Sequence, residues 1–289
     1  MGYDMPPLPG LKTRCLIVDC RLLAVKPTLG HMPSLNVHFL PQLVDPQQLA
    51  GSTCVVIDVL RATTTISYAL DAGARDVIPC LEVDEARQVA ATLPAGSCLL
   101  GGERGGKKIE GFDLGNSPAE YSAEVVGGKH VVFTTTNGTR SLVCCENADP
   151  VFLGSFVNAP RLAELLERQD RINLICAGTD GEITGEDALL AGFLVTHLRK
   201  HRGRTMNDSC FIAEVWWKSR IVPLRPDNLD KDVRERLDIQ RCLEVSRGGK
   251  NLIELGMAND IEHASHFGCL QTVPTYRNGR ITRLAVEPS

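Results

Sequence analysis

From Thr53 onward, short apolar runs alternate with segments of helical spacing. TCVVIDV is β-branched and almost uninterrupted, which predicts a strand buried on both faces. TTTISYALDAGA follows, with Ile66, Ala69 and Leu70 at helical spacing and Gly73 as a stop. DVIPC predicts a second strand and VDEARQVAATL a second helix. SCLLGGE predicts a strand that opens into a glycine-rich loop. SPAEYSAEVV predicts a helix with Ser117 as N-cap, Pro118 at its first position and Glu120 completing a capping box. The alternation runs on through HVVFTTT and GTRSLVCCEN, PVFLGSF and APRLAELLERQ, then INLICAG and EDALLAGFLVTHLRKH. This order predicts an α/β fold, a mostly parallel sheet flanked by helices in three layers. The last third breaks the rhythm. DSCFIAEVWWKS, VRERLDIQRCLEVS and KNLIELGM read as a helical segment, and TVPTYRNGRITRLAV as a hairpin turning at Asn278-Gly279. No low-complexity linker interrupts residues 33–289, which read as one domain. The first 32 residues read as a disordered extension. They open on the Pro/Gly-rich MGYDMPPLPG, and their one apolar run, RCLIVDCRLLAVK, contains charges and no cleavage signal. Met32 begins MPSLNVHFLP, a plausible start for the folded part.

In open parallel sheets, ligands bind beyond the carboxyl ends of the strands. Here every strand end bears hydroxyls, carboxylates or glycines. Asp58, Arg61 and Thr63 to Thr65 follow the first strand. GGERGGKKIEGFDLGNSP, from Gly101 to Pro118, sets charges of both signs on pliable backbone. Glycine admits main-chain N–H groups close to a ligand because no Cβ intervenes. Thr134, Thr135, Thr136, Asn137, Gly138 and Arg140 follow HVVF, Ser155 and Asn158 follow VFLG, and Thr179, Asp180, Glu186 and Asp187 follow LICAG. Each group also has a structural reading. Asp58 and the threonines suit a helix cap, Asn137-Gly138 suits a turn with left-handed backbone, and Glu186 and Asp187 suit a first helical turn. His197 and His201 fit a solvated helix end. His263 and His266 follow Asp260, where a metal role is the lesser reading.

Composition narrows the choice. The net charge of -4 argues against a broad nucleic-acid surface, so an anion site must concentrate Arg and Lys locally. The 11 cysteines are scattered, odd in number and without CxxC, which fits reduced thiols in a cytoplasmic protein. No run is long enough to span a membrane. The glycine-rich loop is neither a P-loop, since no Ser or Thr follows Lys107 or Lys108, nor a dinucleotide fingerprint. Asp58 sits where strand-end aspartyl phosphatases carry their nucleophile, but their second acid, two residues on, is replaced here by Leu60.

VVIDVLRATTTI, GGERGGKKIEGFDLGNSP, FTTTNGTRSL, GSFVNA, CAGTDGEITGEDALLAG and GGKNLIELGMANDI, in that order, resemble the 2-phosphosulfolactate phosphatases from about Asn36 to the C-terminus. The resemblance implies an α/β fold and a Mg²⁺-dependent phosphomonoesterase. Its substrate would be (2R)-2-phospho-3-sulfolactate, hydrolysed to 3-sulfolactate and phosphate on the route to coenzyme M. Asp58 and Arg61 are then the expected catalytic residues. Thr63, Thr64, Arg104, Lys107, Lys108, Thr135, Thr136, Asn137, Gly138, Arg140 and Ser155 are expected at the substrate. Mg²⁺ is expected on Asp58 with Glu103, Asp180, Glu186 or Asp187. Asp58 serves either as a nucleophile, or instead as a metal ligand or a base towards water; the missing acid at Leu60 favours the second. The expected partner is a small anionic phosphorylated substrate, with no nucleic acid or membrane, in a possible homodimer. A phosphatase for another small phosphorylated acid, a lyase or transferase on such an acid, or a non-catalytic anion-binding protein fits the same residues.

Overall fold

The computed structural model describes residues 32–200, 203–221 and 231–284, backbone only for 231–235. The expectation for the N-terminal extension and the reading of His201 lie outside the described residues.

Two blocks of parallel strands form the sheet. The first contains β1 (Ser34–His38), β2 (Thr53–Ile57), β7 (Val151–Gly154), β8 (Arg171–Cys176) and the short edge strand β9 (Thr205–Met206). The second contains β3 (Asp76–Cys80), β4 (Cys98–Arg104) and β6 (His130–Thr134), with β5 (Lys107–Lys108) antiparallel on its edge. The C-terminal hairpin, β10 (Pro274–Arg277) and β11 (Arg280–Arg283), joins the blocks. β10 pairs antiparallel with β7 and β11 with β3, giving the order β5-β4-β6-β3-β11-β10-β7-β2-β8-β1-β9. The hairpin turns at Asn278 (φ 52°) and Gly279 (φ 76°), the left-handed pair that a two-residue turn requires.

All five residues of β2 are buried, as its apolar run predicts, because both faces are covered. Val55 and Ile57 face a core built with α5 (Ala159–Leu166), α6 (Gly185–Leu198) and α7 (Asp208–Arg220). Cys54 and Val56 face α1 (Ala62–Asp71) and α4 (Gly138–Cys144). Val77, Val131 and Phe133 of the second block reach that same core, while Ile78 and Val132 turn outward to α2 (Val83–Thr92). Each block therefore has helices on both faces, and α1 and α4 are shared between them. Strands of both blocks thus share one core with these two helices. α1 leaves the end of β2 and α4 leaves the end of β6, so the ends of both blocks meet.

Two local expectations are corrected. Ser117 starts no long helix. Residues Pro118–Glu120 form one 3₁₀ turn, α3 is only Ala123–Val126, and Glu120 accepts from the Gly115 amide instead of closing a capping box. Asn137 has φ −117° and Gly138 is not left-handed either, because the backbone enters α4 directly. Three helices follow in the last third: α8 (Lys231–Val245), α9 (Arg247–Glu254) and α10 (Ala258–Ser265). Among the described residues, no helix is long and apolar enough to cross a membrane, and every cysteine is a free thiol.

Candidate active site

A cleft of about 400 Å³ lies where the segments after β2, β4, β6 and β8 meet α9. Asp58, Arg61, Glu103, Asn116, Thr135 and Thr136 are among its walls. Asp58 follows β2 directly, and its Oδ1 accepts from the Ala62 amide at 3.2 Å, so the carboxylate is tied to the start of α1. Its other oxygen lies against α4. A Cβ on Gly138 would stand 2.9 Å from Asp58 Oδ2 and 2.8 Å from the Ala62 Cβ, and this close approach is the reason for glycine there. Burial pushes the Asp58 carboxyl up to about 7. The Glu103 and Glu186 charges add to the rise, while the Ala62 amide and Arg61 oppose it.

Arg61 is buried, and three groups fix it. Nη1 donates to Asp260 Oδ2 at 2.7 Å and to Met257 Sδ at 3.0 Å, and Nη2 donates to the Gly106 carbonyl at 2.7 Å. Glu103 serves the backbone. Its Oε2 accepts from Gly106 N at 2.7 Å and its Oε1 from Thr136 N at 2.9 Å, which clamps the glycine turn to the segment after β6. Gly102 makes this contact possible, since a Cβ there would lie 2.1 Å from the Thr134 carbonyl oxygen. Asp187 is a second clamp. It accepts from Val59 N at 2.9 Å and Gly178 N at 3.0 Å, joining the segments after β2 and β8. Burial, with Glu186 and Asp58 nearby, holds the Asp187 carboxyl well above the usual range despite those amides. Burial also raises Glu186, whose Oε2 makes no hydrogen bond. Asn116 Oδ1, Thr135 Oγ1 and Thr136 Oγ1 are likewise buried without partners.

The sequence expectations separate on this geometry. Asp58, Arg61, Glu103, Thr135, Thr136, Asn137 and Asp180 line the cleft, and Gly138 supports it through Asp58. The other expected substrate contacts lie elsewhere. Thr63 and Thr64 turn their hydroxyls onto the Asp58, Gly154 and Val59 carbonyls, which suits threonine in a first helical turn. Arg104 donates to the Glu103 and Leu81 carbonyls and to Thr134 Oγ1. Lys107 and Lys108 lie exposed on the β4–β5 hairpin, and Arg140 is exposed on α4. Ser155 is fully buried beside Ser67 and Asn158. The expected acids do not gather into one chelate. Among the described residues, no three His, Cys, Asp or Glu groups are placed to hold a metal ion together. Glu103 and Asp187 have their oxygens on amides, Asp180 pairs with Arg247 at 3.3 Å and Glu186 is not among the cleft walls, which leaves Asp58, with one oxygen on the Ala62 amide.

Sequence reasoning missed Asn116 and the α9 wall of Gly248, Asn251 and Glu254 in the cleft, and Asp260, which accepts from Arg61. Asn116 stands in the charged glycine loop, and the others lie within GGKNLIELGMANDI. Those motifs pointed to the right segments, but only the structure turns them toward the cleft.

Buried strand-end carboxylates, one fixed arginine and unpartnered hydroxyls in a cleft define an α/β enzyme site. A sequence profile for 2-phosphosulpholactate phosphatase matches residues 38–279, and the chain belongs to that family. It is 49% identical over 236 residues to a probable 2-phosphosulfolactate phosphatase of Caldicellulosiruptor saccharolyticus, covering 80% of this chain and 91% of the relative. Proteins of the same name from Symbiobacterium thermophilum (38% over 240 residues, 82% and 97% coverage) and Clostridium perfringens (34% over 250 residues, 86% and 95%) are also similar.

Proposed function

We propose that this chain is a Mg²⁺-dependent phosphomonoesterase that hydrolyses (2R)-2-phospho-3-sulfolactate to 3-sulfolactate and phosphate, a coenzyme M type of reaction, in a reducing cytoplasm. The observation that carries this reading is that Asn116, Thr135 and Thr136, whose Oδ1, Oγ1 and Oγ1 atoms are buried without partners, line the same cleft as Asp58. Buried polar groups ordinarily have partners, so a ligand completes these.

The need for a cation follows from charge. Asp58, Glu103, Asp180 and Glu254 line the cleft against one positive residue, Arg61. A phosphate entering there requires compensation. The oxygens of Asp58 and the amide oxygen of Asn116 are hard donors on residues that line the cleft, and Mg²⁺ typically takes only one or two carboxylates besides water and phosphate. Bound there, Mg²⁺ supplies charge neutralisation at the phosphoryl oxygens. Asp58 takes the proton of the attacking water as general base. Arg61 and the hydroxyls of Thr135 and Thr136 donate to the phosphoryl oxygens and hold them in line.

A panel of phosphomonoesters, each assayed with Mg²⁺ and with chelator, tests the reading. Phosphate release with Mg²⁺ is expected, greatest for 2-phospho-3-sulfolactate and abolished by chelator. Absence of release from every ester would leave an anion-binding protein on this fold.

A further inference from the structure

Resting on the phosphatase reading, we propose that Asp260 is a positioning residue: it holds the Arg61 guanidinium so that its Nε–Nη2 edge faces the substrate oxyanion. A guanidinium has five N–H donors. The two on Nη1 go to Asp260 and Met257 Sδ, and one on Nη2 goes to Gly106. The Nε–H and the second Nη2 hydrogen remain. Where Gly106 takes the Nη2 hydrogen that points away from Nε, these two lie parallel on one edge and match the bidentate grip that arginine makes on an oxyanion.

Asp260 is well placed for this task. It projects from α10, is 199 positions from Arg61 in the chain, and both side chains are nearly closed to solvent, at 4% for Arg61 and 3% for Asp260. Its second oxygen, Oδ1, accepts from Ser117 Oγ at 2.5 Å. Asp260 thus ties Arg61 to the end of the glycine-rich loop, one residue beyond Asn116. A buried ion pair is a poor stabiliser, because desolvation offsets much of its attraction and apolar replacement is often neutral or better. Orientation is what the pair supplies here. Free rotation of Arg61 would let its fork turn toward the neighbouring acids of the cleft.

The test is a double-mutant cycle read by calorimetric binding of inorganic phosphate in the presence of Mg²⁺, with melting temperatures recorded for every variant. Asp260→Ala in the otherwise natural chain is expected to weaken phosphate binding about tenfold or more, the scale of one charged hydrogen bond. In an Arg61→Ala background the same change is expected to alter binding less than twofold. Asp260→Asn, which keeps shape and one acceptor, is expected to fall between, and it carries the test if Asp260→Ala does not fold. Equal losses in both backgrounds would show a purely structural role and overturn the proposal. A natural chain that hydrolyses no phosphomonoester and binds no phosphate would overturn the phosphatase reading, and this proposal with it. A natural chain that binds phosphate while neither Asp260 variant weakens it would overturn the positioning role alone.

Discussion

Asp58 combines two properties that pull against each other. Its carboxylate does the proposed proton transfer, and burial makes that same charged form costly. Asp58→Asn keeps the shape and removes both. kcat is expected to fall a hundredfold or more, about 3 kcal/mol of transition-state stabilisation. Mg²⁺ held on this carboxylate would draw its pKa below the metal-free value of about 7, so the pH at which kcat/KM of the natural enzyme rises should move down as Mg²⁺ is added, and the rise should vanish in the variant. The stability effect has the opposite sense. The ordinary value for this carboxyl is 3.8, and the folded chain holds it at about 7. A proton held more tightly when folded stabilises fully below about pH 4, and its contribution is lost as pH rises through 7. Measured without divalent ion, Asp58→Asn should therefore melt higher than the natural chain at pH 8, with little difference at pH 4. Asp58 was legible in the sequence from its place after a buried strand. Glu103 was legible as a residue but not in its role. The family resemblance suggested a metal ligand, whereas two backbone amides occupy it. The cysteines show the same limit favourably: burial pushes Cys80 up to about 11 and Cys210 up to about 12, so neither is a thiolate nucleophile near neutral pH.

At the scale of elements, the charged glycine-rich stretch resolves into a tight β4–β5 hairpin followed by a cleft-lining tail. Gly105 (φ 58°) and Gly106 (φ 80°) make the turn between Arg104 and Lys107. The two lysines on β5 face solvent, so Lys107→Ala and Lys108→Ala are expected to leave KM within about twofold, the range of surface changes. A larger rise in KM would return the lysines to the substrate. The C-terminal hairpin was legible from Asn278-Gly279, but its place in the middle of the sheet was not. Its pairing with β3 is brief, Ile281 against Val77, and Asp76 reinforces it. That buried carboxylate accepts from Arg280 at 2.6 Å and bonds His130 at 2.7 Å. Asp76→Ala should cost about 1–3 kcal/mol in denaturant unfolding, the penalty for stranding partners of a buried hydrogen-bonded group. No loss would mean that the hairpin holds through apolar contact alone.

For the whole molecule, the balance of charge in the cleft predicts how activity responds to metal removal. Exhaustive chelation should abolish phosphate release, and Mg²⁺ should restore it, since four lining acids face one arginine. Full activity after chelation would remove the metal from the mechanism. The sequence by itself determined the succession of strands and helices, the list of groups after each strand and the family, because periodicity and motif order belong to consecutive residues. It could not decide which strand ends share a cleft. Only the tertiary structure packs strands of both blocks on α1 and α4, inserts a C-terminal hairpin between two parallel blocks, and brings Asp260 to Arg61. It also turns Arg104, Thr63 and Thr64 onto carbonyls and leaves Arg140 in solvent. The physical reason is that burial, pairing and electrostatic environment are set by neighbours far apart in the chain. A carboxylate has the same identity in any strand-end loop, but its charge state and its partners depend on what closes over it.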